Sequence, residues 1–199
     1  MRTHLGTTAT LCAILACSAA ASSAADGPFG LAMGTPKDRF ELESSETPGM
    51  FFLKDVPKPH SAFDLYILQF GPESGLCLVK GVGKDVSTNS FGTQLRSAFD
   101  DLRERLETAY GSHETIDFVR SGSLWDEPQY FMMGLLKQER LLAARWEQKQ
   151  GSALKNNLET VLLMAKAASQ DNGYLILEYY FENYDACTEE LTRAEDDAL

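Results

Sequence analysis

Residues 90–111 have the clearest alternation of apolar and polar positions in the chain. Their large apolar side chains recur every three or four positions, which keeps them on one face of an α-helix. These side chains are Leu95, Phe99, Leu102, Leu106 and Tyr110. Gly111 follows at a position typical of a helix end. A helix with one apolar face must pack on another layer, and because both flanks have strand patterns, we expect that layer to be a β-sheet.

Before this helix the pattern predicts three β-strands and one short helix. The strands cover residues 50–56, 62–70 and 75–82. Residues 71–75 (GPESG) have the composition of a turn, so the second and third strands should form an antiparallel hairpin. The short helix is predicted to begin with Thr35 as its N-cap and Pro36 at its first position.

After the central helix the pattern predicts a strand, a helix and then further strands. The first strand covers residues 113–119, and the helix covers 127–137 with Asp126 as its cap. Strands follow at residues 140–147 and 174–182. Residues 158–167 fit a strand or a helix, but the hairpin turn Asp-Asn-Gly at 171–173 favours a strand. The acidic end, residues 185–199, is weakly helical.

Each half of the chain therefore has the order helix, strand, strand, strand, helix. This order predicts an α+β fold with one or two antiparallel sheets and helices packed on one face. Residues 26–199 would form a single domain, with tandem α-β-β-β-α halves at 26–111 and 112–199.

The first 25 residues have the layout of a secretory signal peptide. Arg2 is their only basic residue of the Lys or Arg type, an apolar run follows, and Ser23 and Ala25 fit the positions before a cleavage site. These features predict export to the periplasm. An alternative interpretation takes Cys17 as the lipid-bearing residue of a lipobox, which would make the protein an outer-membrane lipoprotein.

The charge of the chain limits its partners. The formal net charge is −11, and it becomes −12 after residues 1–25 are removed, because they contain one Arg and no acidic residue. Such a surface repels nucleic acids and anionic membranes. No second apolar run reaches the length of a membrane span, so we expect no membrane-spanning segment after the leader.

Two cysteines, Cys77 and Cys187, remain once the leader is removed. A pair of cysteines in an exported protein predicts a disulfide bond. Two separate buried thiols are the alternative. A metal site is disfavoured, because these cysteines have no neighbouring His or Cys to complete a ligand set.

The sequence contains no clear catalytic arrangement. It lacks a Gly-x-Ser-x-Gly turn, and His60 and His113 are expected to be solvated. We therefore assign no catalytic, cofactor-binding or metal-binding residue and predict that the protein is not an enzyme. The alternative is a small periplasmic hydrolase that uses Glu178 and Glu182, two carboxylates on one face of the last strand.

Aromatic residues concentrate in the second half, and some of them lie off the apolar face of their strand. Tyr174 and Tyr180 point away from the main apolar row of the last strand. If that face of the sheet is open, they would form an interaction surface together with Arg145. The alternative is that helices cover both faces.

Residues 28–40, PFGLAMGTPKDRF, resemble the opening of a group of small exported bacterial proteins. The group is similar to the outer-membrane assembly lipoproteins of the SmpA/OmlA kind, whose fold occurs in tandem in the β-lactamase inhibitor protein. Here Met33 precedes Gly34, whereas those proteins place Met after Gly, so no residue is carried over as a functional position. The resemblance implies a non-enzymatic scaffold that binds another envelope or secreted protein.

Overall fold

The computed structural model describes residues 27–197 of the chain. Three α-helices and one antiparallel sheet of nine strands make up this part, which confirms the predicted α+β class. The strands are β1 (Glu43–Ser44), β2 (Met50–Leu53), β3 (Phe63–Gly71), β4 (Gly75–Gly83), β5 (Val86–Ser87), β6 (Glu114–Val119), β7 (Arg140–Glu147), β8 (Leu158–Ala167) and β9 (Asn172–Phe181). The helices are α1 (Thr93–Tyr110), α2 (Phe131–Leu136) and α3 (Tyr184–Asp196). The predicted leader and Cys17 lie outside the described residues.

The nine strands form one continuous sheet. Eight strands follow the order β1-β2-β3-β4-β9-β8-β7-β6, and β5 pairs with β9 off this path. The two halves of the chain meet where β4 pairs antiparallel with β9, with Gly81 opposite Leu177. Strands β4 and β9 are therefore central. On one side β3 and then β2 lie outward, and on the other side β8 and then β7 lie outward. Of the two arrangements that the pattern allowed, the structure has one long sheet.

Residues 158–167, whose pattern fitted a strand or a helix, form β8, as the predicted turn at residues 171–173 indicated. Its predicted bounds and those of β7 agree with the structure. The central helix α1 is also confirmed, and it ends before Gly111, whose φ of 79° favours glycine. At the other end, Gly92 has φ 69°, and a Cβ there would lie 2.3 Å from the Phe131 ring.

Helices α1 and α2 pack on one face of the sheet, where a Cβ at Gly173 would meet Leu95 and Met132. Helix α3 packs on the opposite face, where Tyr184 contacts Tyr180 and a Cβ at Gly71 would meet Cys187. Helix α1 follows β5 in the chain but packs mainly on β8 and β9, whereas α3 follows β9 and packs on β3 and β4. Between α1, α2 and the sheet lies the main apolar core. Its fully buried side chains include Leu95, Phe99, Trp146, Val161, Leu163, Leu177 and Phe181.

The N-terminal segment completes this core. Phe29 has φ 54°, and its ring lies within 5.6 Å, between centroids, of the rings of Phe63, Tyr66 and Tyr179. Phe29, which lies in the segment that resembles the SmpA/OmlA group, therefore has a packing role.

The helix predicted at Thr35 is a single 3-10 turn, Lys37–Arg39. The prediction was wrong because Thr35 is used elsewhere. Its hydroxyl donates to the Ala32 carbonyl at 2.8 Å, and its own carbonyl accepts from the Leu76 N–H at 3.0 Å. This pairing with β4 holds the chain extended at the predicted cap.

Several other boundaries differ from the predictions, among them β9, which begins at Asn172 rather than Tyr174 and ends at Phe181. Strand β2 ends at Leu53 rather than Val56. The helix predicted over residues 127–137 is a 3-10 turn, Pro128–Tyr130, followed by the short α2, and no side chain caps its start. Asp126 instead uses its carbonyl to accept a hydrogen bond from Arg140 at 3.3 Å.

The disulfide between Cys77 and Cys187 is present and joins β4 to α3, with the two Cα atoms 6.3 Å apart. Cys187 is the buried residue of α3. Near it, the Glu190 carboxylate accepts hydrogen bonds from the N–H groups of Glu73 and Ser74 at 2.9 and 3.0 Å. The acidic C-terminal segment is thus attached to the β3–β4 turn.

Candidate functional site

The sheet has a second face, and within residues 27–197 helix α3 covers only its fourth row of side chains, where Leu78 and Gln69 are buried and Tyr184 contacts Tyr180. Strand register identifies its side chains, because they alternate along each strand and lie side by side in paired strands. We call this surface the open face and define it by four rows of side chains that cross β2, β3, β4, β9, β8, β7 and β6. In the described chain, its apolar residues are separate from the core on the helical side.

The second row is entirely apolar. Its members are Ile116, Ala143, Met164, Ile176, Val82 and Leu65, in order across six strands. All except Ala143 are partly exposed. Six strands at the usual spacing make a stripe about 24 Å long. The first row extends it at the β6 end, where Phe118 is 56% exposed beside Leu141.

The third row carries most of the charged side chains. In order it contains Glu114, Arg145, Leu162, Glu178, Lys80, Ile67 and Phe52. Arg145 Nη2 donates to Glu114 Oε2 at 2.7 Å, and Arg145 Nη1 lies 3.1 Å from Glu147 Oε1 in the fourth row. Lys80 Nζ lies 2.7 Å from Glu178 Oε1. The charges of this row are therefore paired along the sheet.

Glu178 is the most enclosed charge of the open face, with 6% of its surface exposed. Lys80 occupies one carboxylate oxygen, and the Tyr180 hydroxyl donates to the other at 2.6 Å. Burial, and then this hydrogen bond, raise the pKa of Tyr180 above its ordinary value. The Tyr180 ring in turn contacts Tyr184 edge to face, with 4.8 Å between centroids. Glu178 is therefore fixed by its neighbours at the centre of the sheet.

The structure places all three residues of the predicted interaction surface on the open face. Arg145 lies in the third row, Tyr180 in the fourth and Tyr174 in the first, and each is partly exposed. They do not form one contiguous group, because β8 separates Arg145 from the two tyrosines. The alternative, that helices cover both faces, holds in part, because α3 covers the fourth row, where Tyr184 contacts Tyr180. Whether this surface binds a partner stays a prediction.

Sequence reasoning missed the apolar second row. The prediction set apart one side of the last strand only, the side of Tyr174 and Tyr180, on which Ile176 also lies. The available signal was in β8, where Leu162 and Met164 alternate with the equally apolar Leu163 and Ala165. Apolar residues on both faces of a strand indicate either a two-sided core or an apolar surface.

The two carboxylates of the hydrolase alternative differ in their surroundings. Glu178 has both oxygens engaged, whereas Glu182 is exposed just after β9, and its N–H donates to the Asn157 carbonyl at 2.9 Å. A reaction at Glu178 would first have to break its pair with Lys80 and its bond with Tyr180. The contacts with Lys80 and Tyr180 therefore explain why a carboxylate is buried at position 178. The hydrolase stays a prediction.

Both histidines are less solvated than we expected. The His113 ring lies over Trp146, with 4.8 Å between centroids, and the His60 ring contacts Phe63 at 5.7 Å. His60 Nδ1 also accepts a hydrogen bond from the Ala62 N–H at 3.2 Å. Each ring thus packs on an aromatic neighbour at the margin of the core.

A cleft of about 320 Å³ lies on the helical side, between α1 and the loops before β3 and after β4. Apolar side chains such as Leu102 and Leu175 form part of its wall, together with His60, Lys84 and Arg105. Its size lies at the lower end of the range for small-molecule sites. The charged residues around it are exposed, so the cleft offers fewer fixed contacts than the open face.

In the described chain, no group of three or more His, Cys, Asp or Glu side chains is arranged to hold a metal ion. Among the helices of residues 27–197, none has the length and apolar character that a membrane span requires. Comparisons with protein-family models, with curated proteins and with solved structures find no match to this chain. The resemblance of residues 28–40 to the SmpA/OmlA group therefore stays a prediction.

Proposed function

We propose that this chain is an exported, non-enzymatic protein-binding module of the bacterial envelope, of the assembly-factor, inhibitor or immunity type. Its binding surface is the open face, and its partner is another envelope or secreted protein. The observation that supports this proposal most strongly is the apolar second row, which crosses six strands and is partly exposed at every position except Ala143.

The uncovered part of the open face is large enough to form the centre of an interface. Its first three rows across seven strands measure roughly 30 by 14 Å, or about 400 Å² before the side chains at the margin are counted. A stable protein interface takes about 800 Å² from each partner. Contiguous apolar surface of several hundred Å² is uncommon on proteins that act alone and is typical of interaction sites.

Export is supported by two features of the chain. The disulfide between Cys77 and Cys187 suits an oxidising compartment such as the periplasm. The first 25 residues have the layout of a leader. Lipidation at Cys17 would tether the same domain to the outer membrane, with the open face unchanged. The mass of the mature N-terminus distinguishes these two forms.

The proposal is tested by capture from a bacterial envelope extract with matched variants. The full chain is produced in an exporting host and immobilised through a C-terminal tag. Met164→Glu puts a charge in the middle of the second row, and we expect it to abolish the capture of any specific partner. Ala109→Glu adds the same charge on the exposed side of α1 and should leave capture unchanged.

Stability and activity measurements complete this test. The two variants must unfold at similar urea concentrations, so that lost capture reports the surface and not the fold. Capture that survives Met164→Glu would refute binding through the open face. Hydrolytic activity that disappears in Glu178→Gln, in protein that captures no partner, would favour the hydrolase instead.

A further inference from the structure

We infer that the protein partner of this module adds an extended segment to the sheet as a further strand, paired with the outer edge of β6. This inference rests on the proposed function and specifies how the partner is held. It follows from the backbone groups that β6 leaves unpaired and from the side chains beside them.

Strand β6 is one edge of the sheet, and within residues 27–197 it pairs only with β7. The N–H of Arg120 donates to the Glu139 carbonyl at 2.7 Å, which continues the register of this pair. Hydrogen-bonded and non-hydrogen-bonded pairs alternate along antiparallel strands, so every second residue of β6 directs its N–H and C=O away from β7. These residues are Thr115, Asp117 and Val119. No backbone hydrogen bond of the described chain uses these outward groups.

Strand β6 lacks the features that usually prevent an edge from pairing. It contains neither proline nor lysine, and its register with β7 runs over six residues without a bulge. Its two carboxylates are bonded to arginines of β7, since Glu114 accepts from Arg145 at 2.7 Å and Asp117 accepts from Arg140 at 2.9 Å. At the other edge of the described sheet, β1 has only two residues. Of these two edges, β6 is therefore the one that can receive another strand.

The side chains of β6 indicate what the added segment carries. On the open face, Phe118 is 56% exposed and Ile116 is partly exposed, so the apolar rows end at an uncovered margin. On the side of the sheet where α1 lies, Thr115 and Asp117 are exposed and polar. Side chains that lie opposite each other in neighbouring strands are about 5 Å apart. The added segment therefore has apolar side chains at alternate positions, which continue the open face by one strand, and polar side chains between them.

The spacing of the outward backbone groups favours an extended segment over other occupants. Along the strand, Thr115, Asp117 and Val119 follow one another at about 7 Å, which another extended backbone matches. A helix uses its own N–H and C=O groups internally and offers none at its sides. A second copy of the chain is disfavoured, because the register that pairs all three outward residues places the two Asp117 side chains opposite each other, and each copy has a net charge of −11.

A first experiment uses the chain alone with a synthetic peptide of alternating valine and lysine, blocked at both ends and labelled for fluorescence anisotropy. The control peptide has the same side chains and charge but a methyl group on each backbone nitrogen, so it cannot donate to β6. We expect the first peptide to bind at least about tenfold more tightly than the control. Equal affinity for the two peptides, or no binding of either, would overturn the inference.

Two variants at position 115 locate the bound peptide. Thr115→Pro removes one outward N–H, and proline is tolerated on an edge strand where that N–H faces solvent. It should weaken peptide binding at least about tenfold, which corresponds to about 1.4 kcal/mol. Thr115→Ala removes the same side chain but retains the N–H, and it should change the affinity by less than about twofold. Equal affinity of the two variants, at similar urea midpoints of unfolding, would contradict pairing with β6.

Amide hydrogen exchange followed by NMR tests the unaltered chain, so it does not depend on how a variant folds. In the chain alone, the N–H groups of Thr115 and Asp117 should exchange quickly and those of Ile116 and Phe118 slowly, because only the second pair is bonded to β7. The valine–lysine peptide should slow the exchange of Thr115 and Asp117 at least about tenfold. Protection elsewhere in the sheet, with these two amides unchanged, would overturn the inference.

The partner captured from the envelope extract separates this inference from the proposed function. Capture that is lost in Met164→Glu and in Thr115→Pro, but retained in Thr115→Ala, supports an added strand. Capture that is lost in Met164→Glu but retained in Thr115→Pro would overturn the inference while binding through the open face stands. Light scattering that shows a dimer, which Thr115→Pro dissociates, would replace the segment with a second copy and would also overturn it.

Discussion

The clearest test of the open face compares two neighbouring leucines of β8, Leu162 and Leu163. They share the strand, the residue type and the substitution to alanine, but they point to opposite faces of the sheet. Leu163 is completely buried in the core, whereas Leu162 is partly exposed in the third row. Any difference between the two alanine variants therefore reports the difference between the faces.

The expected losses differ severalfold. Leu163→Ala removes a fully enclosed side chain and leaves a cavity, which costs about 3 to 5 kcal/mol of unfolding free energy. Leu162→Ala opens no cavity and loses only the part of the side chain that its neighbours shield, about 1 kcal/mol or less. Both free energies are measured by urea unfolding, followed by the fluorescence of Trp146, which is fully buried beside β8.

Equal losses for the two variants would refute the description of the open face. They would mean that Leu162 is enclosed in the folded protein, either by residues outside 27–197 or by another copy. The measurement is repeated at two protein concentrations, because enclosure by a second copy makes the apparent stability depend on concentration.

Three further predictions concern the groups that hold the sheet and its helices together. Cys187→Ala removes the closure of a 110-residue loop and should lower the unfolding free energy by up to about 5 kcal/mol, and reduction of the wild type should reproduce this loss in urea unfolding. Lys80→Met leaves Glu178 without its cation and should cost about 1 to 3 kcal/mol, while Lys80→Met with Glu178→Met should recover most of the loss in the same assay. Burial, with Tyr110 nearby, raises the pKa of Tyr179 well above its ordinary value. The unfolded chain loses this proton near pH 10 and the folded chain retains it, so stability falls above about pH 10 by about 1.4 kcal/mol per pH unit, and Tyr179→Phe should remove that contribution in urea unfolding at high pH.

Much of the fold was predictable because local patterns determined it. The bounds of β7 and β8 and the existence of α1 followed from periodicity and turn residues, and the disulfide followed from the two cysteines that remain after the predicted leader. The helix at Thr35 was predicted wrongly because its N-cap residue is held extended by Leu76, a partner 41 positions away. A local sequence pattern does not show pairing between residues so far apart in the chain.

The open face was only partly predictable for a related reason. Alternation assigned Tyr174 and Tyr180 to one side of their strand, and the structure agrees. It could not reveal that β4 and β9 are neighbours, because a strand's pattern specifies its faces but not its partners. Without that pairing, the sequence does not show that Lys80 and Glu178 are neighbours. It also does not show that the apolar second row continues from β9 to β4.

The crossed packing of α1 and α3 also has a consequence for how this chain is made. Helix α1 packs on β8 and β9, and α3 on β3 and β4, so apart from its contact with β5 the apolar side of α1 stays uncovered until β8 and β9 have been synthesised. Neither half, cut after Gly111, contains a complete core, and contacts over such long separations slow folding. The finished sheet and the bond at Cys187 therefore depend on synthesis of the chain through residue 187. Under the export proposed above, a pathway that keeps the chain unfolded until then would match this order of events.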